Sequence, residues 1–504
     1  MRQDASPSVK EGIIKDTAKY NIAQYGSQFL GFFIAIAMRG FLGPYLMGIW
    51  SLLKIVIDYA GFTMLGVGGA AAYKIPFFKG KGDESAKQEV TDSAFGFIFY
   101  TSILSGILVL CGAILLRHRY SLDVFIGLIV ISVYILLQRI SSYYVDVLRA
   151  NNRFGIISRL IIFDAVINLL LVFTLVKAFG IYGLYITVVL LAVFNTLFMH
   201  FFARYKIQLR FNLKRILSLI KLGIPLLLLS VLGTVLSSID RIMIAKMLGI
   251  TFVGYYSIAM MAKGYLIGIT NNFSIVTMPK LMESYGREGR IEQIQKFVTI
   301  SSETISYLFP PLLGCIFLAM PLLVTKVLPQ FTPGIIAAQI LLLEIFFRSC
   351  SPQAEQFLVA LGKQTRIIPI NIAAILLNVV LNYIFIKRGM SIYGVALGTS
   401  IASMLNFLLI LIYAMKHFAT FREIMIFVVK ILLPLIYTGF VLAICTYFIM
   451  IRNPYLQLIV NIIILLLMSI PLFIYIDRKT HIIRILLGLL KRPARNENIS
   501  KKRL

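Results

Sequence analysis

Charge is what this chain has least of. Only 14% of its 504 residues are charged, and 59% are hydrophobic. Soluble domains average about 25% charged and about 45–50% apolar, so a soluble fold of this length lacks the polar surface to cover itself. Acidic residues are scarcer still, at 21 Asp+Glu against 49 Lys+Arg. Such an excess can mark a nucleic-acid binder, but here the bases sit in short loops between apolar runs, which is the pattern of membrane topology. Four cysteines (Cys111, Cys315, Cys350 and Cys445) all fall inside apolar runs, without metal-ligand or disulfide-framework spacing. Four scattered histidines exclude a histidine metal site, and nothing in the sequence calls for a cofactor. No small-residue cleavage site follows the first apolar run, which is too long for a signal sequence. No loop is long enough for a soluble catalytic domain, and no Ser/His/Asp constellation appears.

What remains is a series of apolar runs. About 20 residues of helix cross about 30 Å of hydrocarbon. On that ruler the sequence predicts an all-α integral membrane protein with fourteen spans: 17–37, 45–70, 91–116, 122–147, 157–176, 180–202, 219–244, 252–276, 297–322, 333–361, 367–386, 391–415, 425–450 and 455–476. Of the 49 bases, 34 fall on the side carrying both termini and nine on the other. That bias places both termini in the cytoplasm, and an even number of spans agrees with it. The predicted organisation is a cytoplasmic N-tail (1–16), a six-helix bundle (17–202), a basic linker (203–218), a second six-helix bundle (219–415), two additional helices (416–476) and a basic C-tail (477–504) suited to anionic lipid surfaces.

The two bundles repeat one another. Leu42-Gly43-Pro44 through Gly48 to Ser51 aligns with Leu248-Gly249-Ile250 through Gly254 to Ser257 at an offset of 206. Ile181-Tyr182-Gly183 aligns with Ile392-Tyr393-Gly394, and Asn195 with Asn406, at an offset of 211. Six spans separate the copies, so they enter the membrane the same way round. This is a parallel repeat, with a substrate site expected where the halves meet. Gly66-Val67-Gly68-Gly69 ends a membrane helix and follows no strand, so it is no nucleotide loop. Pro225 and Pro310-Pro311 interrupt spans of the second bundle and are candidate bending points.

The LGPxxxGxWS element at Leu42–Ser51, together with Ser238-Ile239-Asp240-Arg241-Ile242-Met243-Ile244 and the six-six-two arrangement, resembles the polysaccharide-biosynthesis flippases. These belong to the multidrug/oligosaccharidyl-lipid/polysaccharide exporter superfamily, which includes the lipid II flippase and the multidrug and toxin extruders. The resemblance implies two bundles that open alternately to each side, a polyprenyl-diphosphate-linked oligosaccharide as cargo, and a groove for its lipid tail formed by the last helices.

Ionisable groups inside hydrocarbon cost roughly 2.5–3.5 kcal/mol on insertion scales and are functional candidates. Arg39, Lys54, Arg139, Arg241, Lys263 and Arg348 are expected to line a cavity and neutralise a diphosphate. Asp58 and Glu344 each share a helix face with a base and are expected to couple transport to a proton or sodium ion. The competing structural expectation is that Lys54/Asp58 and Glu344/Arg348, both at i,i+4, neutralise each other, while Arg39 and Arg241 reach to the surface. Because Asp58, Asp146, Asp164, Asp240, Glu303, Glu344 and Glu355 also lie in or near spans, the interior as a whole is not expected to be net positive. The alternative activities are a cation-coupled drug or metabolite antiporter of the same superfamily and, in another class, a membrane glycan polymerase or ligase.

Overall fold

The computed structural model describes residues 7–203, 207–288 and 291–480. The end of the N-tail, part of the linker and residues 481–504 of the expected lipid-binding C-tail lie outside the described residues. Among the described residues there are helices and turns and no strand. The α-helices are α1 (Pro7–Ala60), α2 (Val67–Gly80), α3 (Glu84–Leu115), α4 (Leu122–Ala150), α5 (Phe154–Leu171), α6 (Lys177–Phe202) and α7 (Leu213–Met247). They continue as α8 (Ile250–Glu288), α9 (Ile291–Val327), α10 (Ile335–Ala360), α11 (Ile367–Lys387), α12 (Ser391–Met415), α13 (Phe421–Tyr447) and α14 (Pro454–Thr480).

Twelve helical segments among the described residues are long and apolar enough to cross a membrane. Two of them are too long for one crossing. Lys19–Met64 has 46 residues and Phe154–Phe202 has 49; at 1.5 Å per residue each measures about 70 Å, more than twice the hydrocarbon core. Each is broken where the sequence predicts a turn. In α1, Gly43 adopts φ 68, ψ 177, a left-handed backbone setting that only glycine tolerates readily, and Pro44 starts the second arm. Gly180 (φ 57, ψ −130) breaks the second long segment in the same way. With these two turns, twelve apolar segments make fourteen crossings.

Local capping marks where several helices begin. Asp83 accepts the Ala86 amide (2.9 Å) at the start of α3, Asn212 accepts the Arg215 amide (3.2 Å) at the start of α7, and Thr420 with Glu423 forms a reciprocal capping box on α13. The expected bending prolines lie inside helices that stay continuous: Pro225 within α7, Pro310 and Pro311 within α9.

Two compact units are present. One comprises the described residues up to Met261 with Val327–Gly334 and Val379–Val395. The other comprises Ala262–Lys326, Ile335–Asn378 and the described residues from Ala396 onward. In the first unit α1 packs on α5, α3 on α4, and α4 on α6, around a core that includes Ile75, Ala94, Leu148, Ile157 and Met199. Part of the basic linker is tied down here: Arg215 pairs with Glu89 of α3 at 2.8 Å, and the Gln208 backbone N–H donates to Asp92. In the second unit Phe346, Phe357, Phe407 and Leu411 form the centre of the core. Its last two helices turn apolar faces outward. Val429, Leu433, Ile436 and Phe440 on α13, and Ile459, Ile463, Leu467 and Ile474 on α14, are exposed at spacings of three, four or seven. Continuous exposed apolar stripes of this kind suit lipid rather than water.

Candidate functional site

The repeated LGP…G…S elements meet one another. A Cβ on Gly48 would collide with the carbonyl oxygen of Ile250, and a Cβ on Gly254 with that of Pro44. Those four residues are the aligned pairs 44/250 and 48/254, so each copy of the element lays its glycine on the backbone of the other. The arginines follow the same crossed rule. Arg39 Nη2 donates to the Ser257 carbonyl at 2.9 Å, and Arg241 Nη1 donates to the Ser51 carbonyl at 3.1 Å; Ser51 and Ser257 are themselves aligned. Arg39 is buried, with a second bond to the Ala35 carbonyl. It does not reach to the surface. A guanidinium in an apolar setting needs its donors satisfied, and backbone carbonyls of its own helix and of the neighbouring repeat take up part of that need without cancelling its charge.

Arg139 on α4 donates from Nη2 to the Ile57 carbonyl at 3.1 Å. That carbonyl lies in the last turn of α1, where helix oxygens have no intrahelical donor and a cation is favoured. Lys54, one turn earlier, has no ion pair with Asp58 among the described residues. It is exposed, yet surrounded by protein atoms, as a side chain lining an open cavity can be. That cavity, of about 630 Å³, lies among α1, α4, α5 and α6, and Trp50, Tyr134, Gln138, Asp146 and Asp164 also line it. Arg241 and Arg39 both act electrostatically on Lys54, while Arg241, Lys54 and Arg139 act on Asp58. Five of the eight expected site residues therefore form one electrostatic group in the first unit. Asp240 also acts on Arg241, and Asp146 and Asp164 line the cavity with Lys54, so the four cations stand among four carboxylates.

The second unit differs. Lys263 on α8 pairs with Glu344 on α10 at 2.7 Å, their side chains 12% and 2% exposed. Glu344 thus takes a partner from another helix rather than Arg348 one turn away. Arg348 acts electrostatically on Glu355. Glu303, fully buried on α9, forms ion pairs with Lys430 of α13 and Lys479 of α14 and so ties the last two helices to their unit.

Sequence reasoning passed over two half-buried polar pairs. Asn195 donates to Asp164 at 2.7 Å between α6 and α5; the aligned Asn406 donates to Asn371 at 2.9 Å between α12 and α11. The repeat position was visible in the two asparagines, but the partner, a carboxylate in one copy and an amide in the other, was not. Asp240 was noted within the Ser238–Ile244 element and among the carboxylates, with its partners unassigned. It is fully buried and accepts from Tyr256 (3.1 Å) and Asn382 (2.9 Å).

Fourteen crossings, a duplicated motif at a helix crossing and a group of bases inside the bundle define a multi-pass helical membrane protein of the duplicated-bundle class. Residues 81–332, half of the chain, match the family described as polysaccharide biosynthesis protein, and the chain belongs to that family. No curated protein matched it by sequence. Among solved structures it resembles the lipid II flippase MurJ in an inward closed conformation (TM-score 0.70, 15% identity, covering 91% of this chain and 99% of that one). It also resembles an inward-facing multidrug resistance MATE family transporter of the MOP superfamily (TM-score 0.66, 16% identity, covering 77% of this chain and 94% of that one). At these identities the likeness establishes the fold.

Proposed function

We propose that this protein is a flippase, not an enzyme: it carries a polyprenyl-diphosphate-linked oligosaccharide from the cytoplasmic to the outer leaflet of the plasma membrane, for cell-surface polysaccharide synthesis. Both termini face the cytoplasm, and the moving halves are 17–202 and 219–415, opening alternately to each side. Family membership and the MurJ-like fold support this reading. The observation that carries it is the gathering of four bases, Arg39, Lys54, Arg139 and Arg241, with Lys54 exposed in a cavity. A diphosphate cannot enter low dielectric without such partners. Arg39, Arg139 and Arg241 hold the helices by their carbonyl bonds while contributing field, which leaves Lys54 as the base free to meet the headgroup.

Lys263 and Arg348 complete the substrate-binding set in this reading. Asp58 and Glu344 serve ion coupling, Glu344 by exchanging Lys263 for a proton or sodium ion. Anionic lipids meet the basic cytoplasmic loops and C-tail.

The test is a deletion strain examined for lipid-linked oligosaccharide trapped on the cytoplasmic leaflet. Accumulation is expected. Normal glycans with altered dye or cation efflux would instead indicate the antiporter. In the complemented strain, Lys54→Ala should lower export about tenfold or more, the worth of a charge-assisted contact, at unchanged protein abundance. Lys54→Arg should retain most of it. Normal export from a Lys54→Ala, Lys263→Ala double variant would remove both residues from the site.

A further inference from the structure

A second pocket in the second unit has a chemistry unlike that of the group around Lys54. It lies beside the turn between α13 and α14, measures about 340 Å³, and is lined from α9, α10, α13 and α14 by residues that include Thr325, Gln339, Thr446, Gln457 and Asn461. None of its lining residues, among those described, carries a charge. Phe317, Gln339 and Thr446 also line a larger apolar groove of about 510 Å³ walled by leucines of α9, α10 and α13, so the two are continuous.

Hydrogen bonding fixes the orientation of the amides that line the pocket. Gln339 Nε2 donates to the Phe317 carbonyl at 3.0 Å, and Gln457 Nε2 donates to the Ile449 carbonyl at 3.1 Å. A backbone carbonyl only accepts, so the amide nitrogen must be on that side and the amide oxygen on the other. Asn461 is only 4% exposed, and its side-chain oxygen has no partner among the described residues. The hydroxyls of Thr325 and Thr446 donate back to Pro321 (2.7 Å) and Leu442 (2.9 Å), leaving their oxygens as acceptors. The pocket is therefore neutral and rich in acceptors, and its complement is a neutral group rich in donors. A phosphate offers only acceptors and negative charge. An ion needs a cage of oxygens at about 2.3–2.6 Å, whereas 340 Å³ falls at the low end of small-ligand pockets, about 300–1,000 Å³.

We infer that this pocket binds the hydroxyl groups of a sugar whose hydrocarbon tail lies in the adjoining groove. The source of that sugar is either the cargo or a membrane glycolipid; the first rests on the proposed function, and the binding chemistry does not.

The probe is a photoactivatable dodecyl maltoside, compared on the full chain in nanodiscs with a photoactivatable dodecylphosphocholine of equal tail length. The maltoside should label peptides of α9 and α14 about tenfold more than the phosphocholine. Gln457→Leu, on a half-buried position of α14, should remove most of that preference without changing the thermal midpoint; Asn461→Leu, at a buried position, provides a second variant. Equal labelling by both probes, or a preference that survives both substitutions, would overturn the inference. Excess glucosyl diacylglycerol and excess polyprenyl-diphosphate-linked monosaccharide are then added as competitors. Whichever displaces the probe identifies the source, and displacement by neither overturns the inference. Cells give a separate readout: sugar-selective labelling in a protein whose deletion traps no lipid-linked oligosaccharide would leave this pocket standing and remove the flippase reading.

Discussion

Gly254→Val is expected to abolish export, and Gly48→Val to do the same. At each position the Cβ alone falls on a carbonyl oxygen of the other repeat, Pro44 for Gly254 and Ile250 for Gly48. Backbone cannot swing aside as the tip of a side chain can, so the helices must separate. Overpacking of this sort costs about 1–3 kcal/mol and at times more. Separation would also stretch the crossed bonds from Arg39 to Ser257 and from Arg241 to Ser51, now 2.9 and 3.1 Å, exposing two guanidinium groups that apolar surroundings penalise. Export of lipid-linked oligosaccharide and protein abundance should be measured together. Gly254→Ala should lie between wild type and valine, because it adds the clashing atom and nothing more. Wild-type export from Gly254→Val would mean that the two elements need not touch at any stage of the cycle. Substitution of Gly264, where nothing stands within 4 Å of a built Cβ, provides the control and should be mild.

The same contact shows what could be read from the sequence and what could not. The element was legible as a repeat because glycine and serine recur at fixed offsets, and the Gly43 turn because glycine precedes proline between two apolar runs. Its purpose was hidden. Arg39 and Arg241 bond to main-chain carbonyls, which every residue carries, so no side-chain pattern reports them. Helical spacing misled in the opposite way. At i,i+4, Glu344 and Arg348 share a face and invite pairing, yet Glu344 takes Lys263 from another helix, 81 positions away. A local rule identifies which groups can meet on one helix. Which of them do meet depends on packing between helices, and a single sequence carries no such information. The carboxylates counted along the chain divide between the units: Glu303 and Glu344 pair with lysines of the second, while Asp58, Asp146, Asp164 and Asp240 share the first with Arg39, Lys54, Arg139 and Arg241.

The Lys263–Glu344 pair yields the second large effect. With side chains only 12% and 2% exposed, breaking it from one side should be costly. Removing one partner of a buried pair typically destabilises by about 3–5 kcal/mol, because it strands the other charge. Lys263→Met should therefore lower the thermal midpoint of the purified protein sharply, and Glu344→Leu should do likewise. The double variant, in which neither charge is left alone, should recover most of the loss, since replacing both ions with apolar groups is often neutral or favourable. That cycle measures the pair as a structural tie. Export separates the tie from the proposed coupling role. If the pair only holds α8 to α10, the thermally restored double variant should export normally. If Glu344 exchanges its lysine for an ion during the cycle, the double variant should be stable and inactive, and Glu344→Gln should lose dependence on the ion gradient while still binding cargo. Stability regained without activity is the outcome expected here. A double variant that exports at the wild-type rate would reduce both residues to scaffolding and leave the bases around Lys54 to handle the headgroup alone.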